Sequence, residues 1–239
     1  MPYLVKKRQL VIPGELIAEG DYKSGKNTYR EEDRVYASLI GLANYVGRNV
    51  FVVAIKTCYM PTVSDLVIGK VIDMKLSGWT VDINAPYNAM LFTSEFFDRS
   101  FDSRRDRMTD FLDIGDMVLA QVIAFDRTRD PLLTMRESGL RKITQGRVIE
   151  MTPAKIPRII GREGSMVNML KRETGCQITI GQNGLVLVSG KNPELEDLAI
   201  LAINTIERDA HTLGLTDKIS KLLKREKKER GLNVEAKRR

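Results

Sequence analysis

Ile159-Ile160-Gly161-Arg162-Glu163-Gly164-Ser165 decides how the second half of this chain is read. Two glycines three positions apart follow an apolar pair and precede Met166, Met169 and Leu170 at helical spacing, so the stretch is a tight turn between two helices. A backbone bare of side chains at both corners lets a sugar-phosphate chain approach, and the amides that open the second helix face it. A glycine-stabilised helix-helix turn with no ligand is the plain alternative. The basic side chains Arg162, Lys155, Arg158 and Lys171 around the turn favour the binding reading.

Working outward, a strand is predicted near Arg147 to Met151, a short helix before Gly161 and a second helix after Gly164. Two strands follow, Cys176 to Ile180 and Leu185 to Val188, and then a long helix from about Pro193. In that last helix Leu195, Leu198, Ala199, Ala202, Ile203 and Ile206 recur at three- and four-residue spacing, with Pro193 and Glu194 suited to its first turn. The order β-α-α-β-β-α around this glycine turn resembles a type I KH domain, expected over residues 139–214. The resemblance implies an RNA-binding groove, with Gly161, Arg162, Glu163 and Gly164 forming the phosphate loop and Lys155, Arg158 and Lys171 beside it.

Upstream, Ile72, Met74 and Leu76 alternate with Asp73 and Lys75, and Ser77-Gly78 turns the chain into Trp79-Thr80-Val81-Asp82-Ile83, a β-hairpin pattern. Further strands are expected over Ala89 to Phe92, Asp116 to Asp126 and Leu132 to Arg136, with a charged loop from Glu95 to Asp113. Five strands without a long helix suggest a small closed barrel over residues 63–138. Gly69-Lys70-Val71, Gly78 to Ile83 and Ala89 to Phe96 resemble the OB-fold RNA-binding module named for small-subunit ribosomal protein S-one. The resemblance implies stacking aromatics on the second and third strands and a basic residue near the end of the last. Phe92 and Arg136 stand at two such positions and Lys75 on the same path, while Ser77 and Thr80 stand where rings are usual.

Period-two alternation puts Trp79 on the face of Val81 and Ile83, which assigns it to the core. Arg99, Arg104, Arg105 and Arg107 in the charged loop are candidates for a passing RNA strand, but Asp98, Asp102, Asp106 and Asp110 are interleaved with them, and a solvated loop fits equally.

Residues 1–62 alternate short apolar runs with Gly-containing polar turns and read as a β domain. Val11-Ile12-Pro13-Gly14-Glu15, Ala18-Glu19-Gly20, Thr28-Tyr29-Arg30 and Tyr36-Ala37-Ser38 belong to it, and Gly181-Gln182-Asn183-Gly184 forms the last turn of the KH pattern. With this order of modules, the whole chain resembles the RNA-binding cap subunits of the archaeal exosome. That family implies a non-catalytic protein whose copies, as a trimer or mixed with a related cap protein, sit on a hexameric ring of phosphorolytic subunits. The cap guides RNA three-prime ends into the ring for 3'-to-5' degradation and processing, and the N-terminal domain anchors it. The runner-up is a transcription elongation or antitermination factor, which also places an S-one-like barrel before KH units but usually carries two of type II order.

Composition bounds the remaining classes. The chain has 239 residues, 43% hydrophobic and 29% charged, and a formal charge of +7. Ten Lys or Arg against four Asp or Glu lie between Asp217 and Arg239, so this tail carries +6 and the rest is nearly neutral. Leu215, Ile219, Leu222 and Leu223 allow a short amphipathic helix in residues 215–239, with the charged remainder expected to fray. No apolar run suits a membrane span and the N-terminus lacks a secretory pattern, so a soluble, cytoplasmic protein is expected. Cys58 and Cys176 belong to no C-x-x-C pair, and Cys176 alternates with Ile178 and Ile180 as a core thiol. Gly20 to Lys26 spells most of a P-loop, yet position 27 is Asn and no apolar helical period follows. His211 is the only histidine, expected to cap a helix, so no metal-dependent nuclease is indicated and neither catalytic residue, cofactor nor metal is assigned.

Overall fold

A computed structural model describes residues 4–55, 58–97, 107–126, 128–210, 212 and 214–231. Arg99, Arg104, Arg105 and His211 lie outside these residues. The chain divides into two compact units, Met1–Thr57 and Cys58–Arg239.

The first unit is built of β1 (Leu10–Val11), β2 (Leu16–Glu19), β3 (Lys23–Ser24), β4 (Thr28–Glu31), β5 (Arg34–Ala37), β6 (Gly41–Val46) and β7 (Asn49–Ala54). They form two small sheets, ordered β1-β6-β7-β3 and β2-β5-β4, over a core of Val11, Ile17, Val35, Ala43, Val50 and Val52. The P-loop-like stretch from Gly20 runs into β3 and β4, not into a helix, so its glycines serve turns between strands.

The second unit opens with the barrel. Its strands are β8 (Leu66–Lys75), β9 (Gly78–Asp82), β10 (Asn88–Phe92), β11 (Met117–Asp126) and β12 (Arg129–Thr134), with the short helix α1 (Thr93–Phe96) after β10. β12 pairs parallel with β10 and antiparallel with β11, which closes the five strands on themselves. The expected hairpin is β8-β9, with a bulge between Val71 and Asp73 that bends the long β8 around the barrel. Trp79 is fully buried with Val81, Ile83 and Leu91, and its indole Nε1 donates to the Leu112 carbonyl at 3.0 Å. Phe96 lies tilted against it at 5.2 Å, and Phe96, Phe97 and Phe111 meet one another edge-on in the same core. Tyr59 is also buried in this core and donates to Asp65, so the segment from Cys58 belongs with the barrel and the division falls earlier than residue 62.

The KH fold follows as β14 (Arg147–Glu150), α2 (Ile156–Ile160), α3 (Ser165–Thr174), β15 (Gln177–Ile180), β16 (Leu185–Ser189) and α4 (Pro193–Arg208). Its antiparallel sheet is ordered β14-β16-β15, and the apolar stripe of α4 packs with Ile159, Met166 and Leu170 over it. Before it, β13 (Arg141–Ile143) adds to the β11 edge of the barrel, so the linker between the modules is itself a strand.

Barrel and KH fold share an interface, which is why they form one unit and not two. Asn183 is fully buried in the turn between β15 and β16. Its amide donates to the carbonyls of Ile68 and Ile83 at 2.6 and 2.8 Å and accepts from the Ile68 amide at 3.3 Å. Around it Ile68 and Leu119 of the barrel meet Leu187 of the KH sheet, with Met117, Ile143 and Val148 alongside.

The C-terminal helix differs from expectation in length. α5 runs from Leu215 to Arg230 and docks on the KH core through Leu215, Ile219 and Leu223. The charged stretch continues the helix because ion pairs one turn apart, Arg225–Glu229 at 2.7 Å and Glu226–Arg230 at 3.1 Å, sit along it. Lys227 also pairs with Glu173 of α3 at 3.0 Å.

Candidate nucleic-acid interface

The glycine loop is open and its backbone requires its glycines. α2 ends at Gly161, at φ 72°, and α3 starts from Gly164, at φ 77° in the left-handed region. A side chain at Gly161 would lie 2.8 Å from both Cβ and N of Met166, so only glycine lets the loop fold back on the first turn of α3. At Gly164 the nearest atom is 3.4 Å away, so strain from φ is the main obstacle there. Between them Arg162 and Glu163 are exposed, with Glu163 itself at φ 51°. Arg158, one turn earlier on α2, is exposed as well, and neither arginine makes an ion pair among the described residues. Gly161, Arg162, Glu163, Gly164 and Arg158 therefore form one cluster: backbone freed for close approach, a helix N-terminus behind it, and two guanidinium groups with their donors unspent.

The other two basic candidates stand apart from it. Lys155 lies 4.0 Å from Glu207 of α4, whose carboxylate also accepts from the Thr152 amide and hydroxyl at 2.9 and 2.8 Å. Its charge is thus spent in an internal network that fixes the start of α2. Lys171 is in the last turn of α3, about 9 Å along the helix axis from Ser165, which opens it.

On the barrel, pairing aligns Lys75 with Gly78 and Gly78 with Phe92 across β8, β9 and β10. Lys75 is exposed and Phe92 half-buried on the outer face, and a side chain at Gly78 between them would strike the Leu91 carbonyl at 2.2 Å, so glycine permits a close approach of the strands there. Thr80 is covered, 9% exposed, with its hydroxyl 3.7 Å from the Met90 sulfur, and the Lys75 ammonium lies 3.9 Å from the same sulfur. The outer face is thus organised around Met90, which sequence reasoning did not single out, with Thr80 beneath it. Arg136 follows the end of β12, and its Nε and Nη2 donate to the Phe97 carbonyl at 3.3 and 3.1 Å. Two of its donors are therefore spent on the backbone of the phenylalanine cluster, and the rest remain on an exposed side chain. Arg107 is exposed at the start of a single helical turn, Met108–Asp110.

Cys176 is buried, and burial pushes its thiol pKa up, with Glu196 adding to the effect against a hydrogen bond involving Thr174. It stays protonated as a packing residue. Among the described residues no group of three or more His, Cys, Asp or Glu side chains is arranged to hold a metal ion. No described helix is long and apolar enough to cross a membrane.

A closed OB barrel locked onto a type I KH fold that carries an open glycine loop defines a protein of the S1–KH class. Comparison with known proteins narrows this. Residues 8–56 match the N-terminal domain of the exosome RNA binding protein RRP4, residues 58–124 the RRP4 S1 domain and residues 147–205 the KH domain. The chain is 43% identical over 233 residues to the exosome complex component Rrp4 of Pyrococcus furiosus, covering 95% of this chain and 88% of that one. Against the exosome complex component Rrp4 of Thermofilum pendens it is 40% identical over 222 residues, 92% and 94% of the two chains. A crystal structure assigned as an exosome complex RNA-binding protein superimposes with a TM-score of 0.69 at 41% identity, covering 73% of this chain and 99% of that one. The chain belongs to the Rrp4 family of exosome components.

Proposed function

We propose that this chain is the non-catalytic RNA-binding cap of a cytoplasmic exosome, three copies, alone or mixed with a related cap protein, sitting on a hexameric phosphorolytic ring. The observation that carries the reading is the open loop of Gly161 to Gly164 with Arg158 and Arg162 unpaired beside it, on a KH fold locked to a barrel, in a chain 43% identical to an exosome component. The loop takes an RNA phosphate on its amides and arginines. Lys75 and Phe92 give the barrel a charge and a ring on one face, and Arg136 and Arg107 add positive charge on the barrel and Lys171 on the KH fold, with Arg104 and Arg105, outside the described residues, as further candidates. The strand is then handed three-prime end first to the ring, where cleavage takes place. The N-terminal unit supplies the ring contact. The cap itself needs no cofactor and no metal, and its task is to raise the local concentration of RNA ends.

The test is a phosphate-dependent RNA degradation assay on the protein alone, on its cognate ring alone and on the two mixed. Degradation only with the ring, faster when this chain is added, is the expected result. Turnover by this chain alone overturns the reading, and so does the lack of both association and stimulation, which would favour a transcription factor that binds nascent RNA.

A further inference from the structure

α5 has two faces of different chemistry. Leu215, Ile219 and Leu223 lie buried on one, and Lys218, Lys221, Lys224, Arg225 and Lys228 are exposed on the opposite side with Asp217 as the one acid among them. The remaining acids of the helix are each matched: Glu226 with Arg230 and Glu229 with Arg225. Lys218 is engaged by Asp209 at 2.8 Å and Lys227 by Glu173 at 3.0 Å. Lys221, Lys224 and Lys228 are left with no ion pair among the described residues. Their three- and four-residue spacing makes one stripe about 10 Å long.

The stripe is continuous with the side of the KH fold that carries the glycine loop. α3 begins at that loop, exposes Ser165, Asn168 and Arg172 along one line, and at its end meets α5 through Glu173 and Lys227. Lys224 is close enough to Glu173 to help lower that carboxylate's pKa, after the larger effects of the Lys227 hydrogen bond and charge. The chemistry of the face selects its partner. Protein interfaces have an apolar centre, whereas among the described residues none of the exposed large apolar side chains falls on the KH fold or α5. Flexible lysines without apolar neighbours suit a sugar-phosphate backbone, which is bound by charge and independently of base.

We propose that α5 is a second RNA-backbone contact, in which Lys221, Lys224 and Lys228 receive the phosphates of a strand already held at the glycine loop and carried along α3. The inference rests on the RNA-binding reading above. It makes the KH side of the protein a track and not a single groove, so its contribution appears only with RNA long enough to leave the loop.

The test uses the full chain with Lys221, Lys224 and Lys228 all replaced by Gln, all exposed positions, and labelled oligoadenylates of about 4 and about 30 nucleotides. Affinity for the longer RNA is expected to fall about tenfold at low salt, and the slope of log affinity against log salt to flatten by about 2, at 0.7 per phosphate contact on a single strand. Affinity for the short RNA should stay as in the parent. Replacing the same three lysines by Arg should keep the longer RNA bound, as should an equal loss of charge at the exposed Lys6, Lys7 and Lys23 of the first unit. Equal losses in that control, loss with the Arg variant, or undiminished binding by the Gln variant overturn the proposal. Undiminished binding by the Gln variant while Gly164→Asp binds poorly removes α5 alone; a parent chain that binds neither oligonucleotide removes the RNA reading itself.

Discussion

Two turns of the same KH fold share one spelling, Gly161-Arg162-Glu163-Gly164 and Gly181-Gln182-Asn183-Gly184, and meet opposite fates. The first stands open, its two middle residues exposed and charged. The second is pressed against the barrel, with Asn183 fully buried and bonded to backbone groups of Ile68 and Ile83. The glycines do different jobs too. Gly161 makes room for its own helix, whereas a side chain at Gly181 would strike the Asn183 amide oxygen at 2.4 Å and one at Gly184 the Met151 carbonyl at 2.4 Å. Glycine spacing therefore specifies a sharp turn and nothing more. The residues between the glycines decide whether the turn meets water, a ligand or another part of the chain.

Breaking the buried turn should have the largest effect. Asn183→Ala leaves buried backbone groups of Ile68 and Ile83 without partners and is expected to cost about 2–4 kcal/mol in denaturant unfolding. Asn183→Asp keeps the shape but aims a carboxylate at two carbonyl oxygens, so it should cost at least as much. If either variant unfolds like the parent, the lock between barrel and KH fold is unimportant. In the open turn the ranking reverses. Gly164→Asp has room for its side chain and should cost only about 1 kcal/mol of stability for the left-handed backbone. Its affinity for single-stranded RNA should drop about tenfold, read by fluorescence anisotropy at low salt.

A smaller effect tests the docking of α5. The Lys227 ammonium holds the Glu173 carboxyl below its ordinary value of 4.5, against an opposing effect of burial. Folding thus favours the ionised form, so the contribution of this pair is fully present above pH 4.5 and lost as pH falls through the lower folded value. Glu173→Gln should accordingly have a lower Tm than the parent at neutral pH, with the gap closing below pH 4.5; a gap independent of pH would show that the pair does not contribute in this way. The smallest expected change is a gain. Glu163 places a negative charge at the tip of the open turn, so Glu163→Gln should raise RNA affinity about two- to threefold and lose that advantage at high salt.

Much of this architecture was legible because it follows local rules. The helical stripe of Leu198, Ala202 and Ile206 and the period-two burial of Trp79, Val81 and Ile83 are set by neighbours in sequence, and the structure places them where those periods put them. Asn183 was legible only as a turn residue. A polar side chain between glycines normally faces water, and its partners lie 115 and 100 positions away. The extension of α5 to Arg230 was hidden for a related reason: apolar periodicity stops at Leu223, and the rest is held by ion pairs that a count of charges does not locate. Lys155 and Arg136 read as free cations, yet Glu207 and the Phe97 carbonyl claim them, because long polar side chains reach partners that only the fold brings close.

The strand β13, which joins barrel to KH fold, leaves no slack between the modules. A flexible tether would let each bind on its own and would dilute the second contact by every orientation the tether allows. Here a polymer that touches one module would find the next at a distance set by the fold, so the effective concentration of the second site would depend on that span and the stiffness of the polymer and not on any flexibility of the protein. Only lengthening the chain between Ile143 and Arg147 and removing the Asn183 lock together would turn this fixed spacing into a loose one, and neither change touches the glycine loop or the outer face of the barrel.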